Sequence, residues 1–423
     1  MELPLFFNQQ VDLTVVGGGP AGFMAAITAA QSGVASVVLL ESNAKTLEKV
    51  RISGGGRCNV THACWDPREL VTNYPRGRLA LMSAFSRFAA GDAVNWFEEK
   101  GLRLIAEQDG RIFPVSNSSS DVVTCLRNAA KASGVHFLTK QAVNRVDSMQ
   151  KNRFFISSKG SKTFESKKVL LATGSHSSGR KIAHALGHSI VNPVPSLFSL
   201  KLDSFSLSIC SGVALDNVKI TLFTDEKSFH EIGRVLITHQ GLSGPAVLRL
   251  TAFAARHLSK LNYKARLSVN WIDSNYDSAR SQLNNFRYTS SRSRLVNSNP
   301  FSKFPKRFWL EIIKQAKVDP SIRWAELSSA NEKCLLNILI SNSYNVFGKG
   351  PYGDEFVTAG GVRLDEINMT TMESRLLPGL YFAGELLDID GITGGFNFQH
   401  CWSSGWLAGK AIANSLNPYL SEN

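Results

Sequence analysis

The stretch VDLTVVGGGPAGFMAAITAAQSGVASVVLLE, residues 11–41, decides the fold. A β-branched run ends in glycines at 17, 19 and 22, an alanine-rich segment of helical character follows, and a second apolar run closes on Glu41. Strand, glycine turn, helix and strand with a terminal acid make a βαβ unit, and this context turns the weak GxGxxG spacing into a strong sign of dinucleotide binding. Gly17 permits the tight turn, Gly19 lets backbone approach a pyrophosphate, and Gly22 lets helix and strand pack closely. The helix, opened by Pro20 and Ala21, turns unpaired N–H groups toward the phosphates. Glu41, followed by Ser42, is placed to accept hydrogen bonds from the adenosine ribose, and an acid there disfavours a 2′-phosphate.

A second glycine cluster, ISGGGRCNV at 52–60, follows within about a dozen residues and carries Gly55, Gly56, Arg57, Cys58 and Asn59. Further on, VLLATG at 169–174 and GLYFAGELLD at 379–388 read as strands ending in small residues. Such ends favour FAD over NAD as the dinucleotide and bring in Thr173, Gly174, Gly384 and Glu385. GITGGFNFQH at 391–400 reads as a glycine loop opening the last helix. The N–H groups of that helix suit a flavin pyrimidine, where negative charge gathers on reduction. Gly394, Gly395, Phe396 and Asn397 are therefore expected at the flavin edge.

Together these motifs resemble the aminoacetone oxidase family of FAD-binding enzymes, which includes the BaiN-type reductases. The matching stretches, among them VVGGGPAG, RISGGGRCNVTH, RIFPVSNSSSDVV, ITHQGLSGPAVL and SSGWLAG, run in order from the N-terminus to residue 409. The resemblance implies that the SGGGRCN loop reaches the isoalloxazine and pyrophosphate region of a non-covalent FAD. Arg57 would then meet phosphate or reduced flavin, Asn59 the ring edge, and Glu385 the ribityl or pyrophosphate region. Val143, in QAVNRV, resembles the position whose backbone contacts adenine, and reads equally well as a core valine. Cys58 has no cysteine at adjacent spacing, so a small side chain packed beside the flavin is favoured over a redox thiol. After VLLATG the family carries a tyrosine–proline pair that this chain replaces with SHSSGRKIAHALGH, which leaves the substrate's shape open.

FAD-domain motifs occur before residue 192 and again after 353, so the domain is expected to be discontinuous. The α/β reading is a Rossmann-type FAD-binding domain at 1–195 and 351–423, with an inserted β-barrel-like domain at 196–275 and 336–350 and a small helical subdomain at 276–335. The prolines at 193 and 195 and GKGPYG at 348–353 suit the crossings. The stretch at 287–303, rich in Ser, Asn and Arg, reads as a loop. Within the insert, THQGLSG at 238–244 suggests a loop returning toward the flavin, and His239 is the motif histidine read as a proton carrier.

Bulk properties narrow the class. At 423 residues the chain exceeds what one core usually serves. Cysteines 58, 64, 125, 210, 334 and 401 show no metal-ligand or disulfide-framework spacing, so no metal is expected and the thiols read as free. MELPLFFNQQ lacks the basic start of a signal peptide and no apolar run reaches membrane-spanning length, which gives a cytoplasmic expectation with no membrane partner. The net charge is +13, and residues 277–323 hold ten Lys or Arg against three acids. A solvated face of the helical subdomain is favoured over nucleic acid there, since no nucleic-acid module accompanies the charge.

The resulting expectation is an FAD-dependent oxidoreductase that moves hydride between flavin N5 and a small organic molecule, with NAD(P)H or oxygen as second partner. Arg57, Asn59 and His239 are its candidate catalytic residues. An FAD-dependent RNA-modifying enzyme and a non-catalytic flavin-binding protein are the alternatives. Substrate, electron donor and oligomeric state stay open at the level of sequence.

Overall fold

A computed structural model describes residues 10–149, 153–158, 162–350 and 357–417. They fall into two compact units, Met1–Pro193 with Thr358–Asn423, and Val194–Val357. In the first, β1 (Gln10–Val16) and β2 (Val37–Leu40) flank α1 (Pro20–Gln31). All four β2 residues are buried, as are Val11, Leu13, Val15 and Val16 of β1, the pattern of strands covered on both faces.

Parallel pairing joins β1 and β2 to β3 (His136–Leu138) on one side, and to β4 (Lys162–Leu171) and β5 (Leu380–Phe382) on the other. The order β5-β4-β1-β2-β3 reverses direction at β1. In open α/β sheets, ligands bind at the carboxyl ends of the strands beside such a reversal. The kinked helix α2 (Glu48–Gly56) and the long last helix α3 (Phe396–Leu416) complete the frame of the site.

Small residues let α3 lie close against α1. A Cβ on Gly405 would stand 2.5 Å from the Ala21 carbonyl oxygen, and one on Gly409 would stand 2.6 Å from that of Ala25. On its other side α3 is tied by Trp402, whose Nε1 donates to the Val60 carbonyl at 2.9 Å. The loop leading into α3 is anchored by a buried ion pair between Arg76 and Asp390, whose side chains are 9% and 0% exposed.

The second unit contains a closed antiparallel barrel of six strands. They are Leu200–Leu202, Ala214–Phe223, Ser228–Ile237, Gly241–Ser243, Ala265–Asn270 and Asn342–Lys349. The sequence reading of 196–275 as β-rich missed a helix there, Pro245–Lys260. Proline at its first position and the helical spacing of buried Val247, Leu250, Ala254 and Leu258 account for it.

Helices Tyr276–Thr289, Lys306–Gln315 and Ser329–Ser341 follow, around buried Trp271, Trp309 and Trp324. The first runs to Thr289, past the point at 287 where a loop was expected, and the remainder of that stretch holds a single 3₁₀ turn at Leu295–Asn297. Of the GKGPYG crossing, residues 351–353 lie outside the described residues, as does the expected boundary at 351. Among the described residues no helix is long and apolar enough to cross a membrane.

The Arg76–Asp390 pair yields a test of how the loop before α3 is held. Removing one partner leaves a buried charge uncompensated, whereas replacing both by apolar residues removes the cost. Arg76→Met should destabilise the protein by about 3–5 kcal/mol in denaturant unfolding, and Arg76→Met with Asp390→Leu should recover most of that.

Candidate cofactor site

Four strand ends converge on the opening beside β1. At its end, Gly17 adopts φ +116°, and a Cβ there would lie 2.3 Å from the Ala172 carbonyl oxygen, so only glycine fits between β1 and β4. The Gly18 N–H donates to Glu41 Oε2 at 2.8 Å, while Oε1 accepts from the Asn43 N–H at 2.8 Å and the Ser42 hydroxyl at 3.1 Å. Glu41 thus draws the glycine turn onto the end of β2. Above Gly19 no atom lies within 4 Å of a would-be Cβ. Pro20 begins α1 with no side chain capping its N-terminus. Ala21 and Gly22 are buried in its first turn, and Thr46 Oγ1, buried nearby, has no partner.

The end of β4 supplies Thr173, whose buried hydroxyl also has no partner, and Gly174 in a left-handed conformation at φ +62°. Glu385, just after β5, stands with Oε2 3.7 Å from a would-be Cβ on Gly174. It accepts from Lys49 Nζ at 2.5 Å, and Lys49 also donates to the Ser175 hydroxyl at 3.0 Å. Gly384 is buried and donates its N–H to the Ser404 hydroxyl at 2.9 Å. Val143 is buried at the start of strand Val143–Met149, opposite Ser158.

The second glycine cluster ends α2. The helix breaks at Ser53, and Gly54, Gly55 and Gly56 follow with φ of +57°, +68° and +86°. Nothing lies within 4 Å of a would-be Cβ on Gly55 or Gly56, so the backbone is bare on that side. Cys58 is fully buried, and burial pushes its thiol up to about 12, which makes it an inert packing group.

Asn59 Oδ1 is buried without a partner, 2.8 Å from a would-be Cβ on Gly395. Arg57 has partners within the protein. Its guanidinium pairs with Glu107 at 2.5 Å, donates to Asn117 Oδ1 at 2.8 Å and lies 3.9 Å over the Phe113 ring. An uncompensated cation for the flavin is not what this geometry offers, because Glu107 already answers the charge. Arg57 instead fastens the loop to the strand Arg111–Pro114.

Gly395, at φ +93°, starts α3 with no side-chain cap and no acid in the first turn. Asn397 is occupied in holding the preceding loop, since its amide donates to the Gly391 carbonyl at 2.9 Å and accepts the Gly391 N–H at 2.8 Å. Phe396 is buried and stacks on His62 at 4.8 Å between ring centres. A Cβ on Gly394 would stand 3.5 Å from His62 Cδ2.

His62 was passed over in the sequence reading, although it stands three residues after Asn59 in the same motif. Its Nε2 lies 3.1 Å from the Asp109 carbonyl oxygen and therefore carries the proton, which leaves the buried Nδ1 as an acceptor without a partner. Burial holds its pKa below the ordinary histidine value, so the ring is neutral at pH 7. His400, also unnoticed in sequence, is buried in α3, donates to the Gly384 carbonyl at 3.2 Å and is pushed down to about 4 by burial.

His239 belongs to the other unit, exposed at the turn between barrel strands Ser228–Ile237 and Gly241–Ser243. The glycines of its motif have structural tasks there. A Cβ on Gly241 would stand 2.1 Å from the Leu200 carbonyl oxygen, and Gly244 caps the helix Pro245–Lys260.

The first unit thus collects open backbone at Gly19, Gly55 and Gly56, uncapped N-termini on α1 and α3, and buried polar atoms of Thr46, Asn59, His62 and Thr173 that lack partners. An elongated ligand carrying phosphates at one end and a polar heterocycle at the other fits this set.

Comparison with known proteins agrees with that chemistry. Residues 11–411 match the family model described as HI0933-like protein Rossmann domain. The chain is 30% identical to the 3-dehydro-bile acid delta(4,6)-reductase of Clostridium scindens, over 94% of this chain and 98% of that one. It is 28% identical to the ribosomal RNA dihydrouridine synthase of Escherichia coli, over 96% of this chain and 98% of that one. Among solved structures, the 3-ketosteroid delta1-dehydrogenase of Sterolibacterium denitrificans aligns with a TM-score of 0.53 at 11% identity, covering 96% of this chain and all of that one, and this likeness shows the fold alone. The chain belongs to the HI0933-like Rossmann-domain family, a family of FAD-binding flavoprotein oxidoreductases.

Proposed function

We propose that this protein is a reductase that uses non-covalent FAD to saturate a carbon–carbon double bond conjugated to a carbonyl in an organic substrate, with NAD(P)H as electron donor. Bound flavin supplies hydride transfer at N5. The residues of this chain supply placement and electrostatics. Gly17, Gly19 and the N-terminus of α1 receive the pyrophosphate, with Glu41 at the ribose and Val143 near the adenine. Thr173, Gly174 and Glu385 line the path from ribose to ring, and the backbone of Gly55 and Gly56 lies against it.

The observation that carries the reading is the group around the start of α3. Its uncapped N–H groups favour negative charge at the ring edge. Asn59 Oδ1 and His62 Nδ1, acceptors without partners in the same place, favour a heterocycle with N–H groups to donate. Cys58, Phe396 and the Asn397 clamp hold that edge in position.

The double-bond chemistry is supported by the two named relatives. One name describes reduction of unsaturation in a 3-oxo steroid acid and the other saturation of a uracil ring, and both substrates present a double bond conjugated to a carbonyl. A hydride delivered to the far carbon of such a bond leaves negative charge on the carbonyl oxygen, and a proton at the near carbon completes the reduction.

Anaerobic mixing of the yellow protein with NADH or NADPH should bleach the flavin, and adding a 3-oxo-Δ4 steroid as a conjugated probe should restore its absorbance. Restoration by air alone, with stoichiometric peroxide and no response to the probe, would instead make the protein an oxidase. Glu41→Ala should weaken FAD binding by about 1.5–3 kcal/mol in an equilibrium titration, the worth of charge-assisted hydrogen bonds, with the fold retained by circular dichroism. Arg57→Ala should loosen FAD while leaving the midpoint potential of the bound fraction near the parent's, because Glu107 already balances the removed charge.

A further inference from the structure

The stretch SHSSGRKIAHALGH, residues 175–188, is only partly engaged by the cofactor site. Its helix, Ser177–Ala185, buries Gly179, Ile182 and Ala183 on one side. A Cβ on Gly179 would stand 1.7 Å from Thr173 Oγ1 and 3.2 Å from Leu386 Cδ1, so the helix rides directly on the end of β4 and on the segment after β5. Its other side presents Ser177, Arg180, Lys181 and His184, which at spacings of three and four share one face. With Ile190 they line a cavity of about 350 Å³.

The cavity is basic, and no carboxylate lines it. Among the described residues no ion pair involves Arg180, Lys181 or His184. Glu366, which reaches the chain beside Ile190, is spent on the Ser189 N–H at 2.9 Å. Arg180 is half-buried, and its Nη1 donates to the Ser175 carbonyl at 2.5 Å, which fixes the guanidinium and leaves its remaining N–H groups to spare. The N-terminus of the helix is already occupied, since His176 Nδ1 accepts the Ser178 N–H at 3.2 Å, so the pull on an anion comes from side chains. The Ser175 hydroxyl meets Lys49, and one residue thus serves both the cavity and the cofactor site.

A fixed guanidinium, an ammonium, an imidazole and a hydroxyl on one face, with the aliphatic side chain of Ile190 beside them, suit a phosphate monoester carried on a nucleoside. The volume lies at the lower end of the range of small-molecule sites, about 300–1,000 Å³, and exceeds what a bare anion needs. We propose that this cavity receives the 2′-phosphate and adjoining ribose of NADPH, which makes Arg180 and Lys181 the residues that select NADPH over NADH. The inference rests on the reading of the protein as an NAD(P)H-driven reductase. FAD takes the glycine turn of residues 11–41 in that reading, so the donor needs contacts elsewhere, and an arginine is an ordinary partner of a 2′-phosphate.

The test uses the full chain with its FAD and adenosine 2′,5′-bisphosphate, titrated by calorimetry beside adenosine 5′-monophosphate and inorganic phosphate. The bisphosphate should bind at least about tenfold more tightly than either, as charged hydrogen bonds to one added phosphate require. Lys181→Glu, at an exposed position, should remove that preference, and so should Arg180→Ala. Lys181→Glu keeps the test decisive where loss of the Ser175 contact disturbs the arginine variant. In anaerobic mixing, NADPH should bleach the parent's flavin at a lower half-saturating concentration than NADH, and Lys181→Glu should bring the two values together. Flavin absorbance per protein and circular dichroism show that the variants remain folded. Failure of the bisphosphate to bind, equal binding by the parent and Lys181→Glu, or inorganic phosphate binding as tightly as the bisphosphate overturns the inference. A parent bleached equally well by both nucleotides overturns it and leaves the reductase reading standing, whereas a parent bleached by neither overturns both.

Discussion

The close approach of α3 to α1 is the constraint on which the cofactor site depends. Gly405 and Gly409 set a helix from the far end of the chain against the alanine face of the helix that follows the first glycine turn. Any side chain at either glycine would strike the carbonyl of Ala21 or Ala25 and push the helices apart. The N-terminus of α3, with Gly395, Phe396 and the Asn397 clamp, would move with it. The proposed phosphate end of the site and its proposed ring end are therefore coupled through one helix–helix contact, although their residues lie almost four hundred positions apart.

Around that contact the site departs from ordinary core chemistry. Buried polar groups are nearly always paired, and leaving one unpaired costs about 1–3 kcal/mol. Thr46, Asn59, His62 and Thr173 nevertheless keep unpartnered atoms, as do Thr14, Thr28, His188 and His400 of the same unit. His400 and Cys58, equally buried, show how the rest of the region is kept neutral, since burial drives the imidazole down and the thiol up. Charge is reserved for the ends of the site, where Glu41 is tied to backbone N–H groups and Glu385 to Lys49. The arrangement is a neutral, pre-formed polar cradle between two anchored carboxylates.

The second unit distributes its charge in the opposite way. Its barrel closes on aliphatic residues and its helical part on tryptophans, so arginines adjacent to them in sequence are forced outward. Helix ends and neighbouring carboxylates absorb part of the excess, as at Glu332, while among the described residues Arg294 and Arg323 are left without acids. Composition gave the total charge and its segment. Only the pairing of 291–296 with 320–325 brought Arg294 and Arg323 face to face.

The contrast between what was legible and what was not follows the range of the forces involved. Residues 11–41 determined the nucleotide-binding half without help, because a turn needing φ above zero, a helix start and a strand-end acid are local demands written at fixed spacing. The motifs on both sides of foreign sequence are local for the same reason, and the first compact unit draws on both ends of the chain. The ion pair of Arg57 was not legible, because its partner, Glu107, lies fifty residues away on a hairpin whose position no spacing encodes. Asn397 looked like a flavin contact, yet its amide is committed to Gly391. His62 gains meaning only when Phe396 stacks on it and burial strips its Nδ1 of partners. The sequence alone thus determined the fold and the cofactor, which rest on local backbone geometry. The tertiary structure decided which side chains are free to act, because availability depends on what distant residues have already bound.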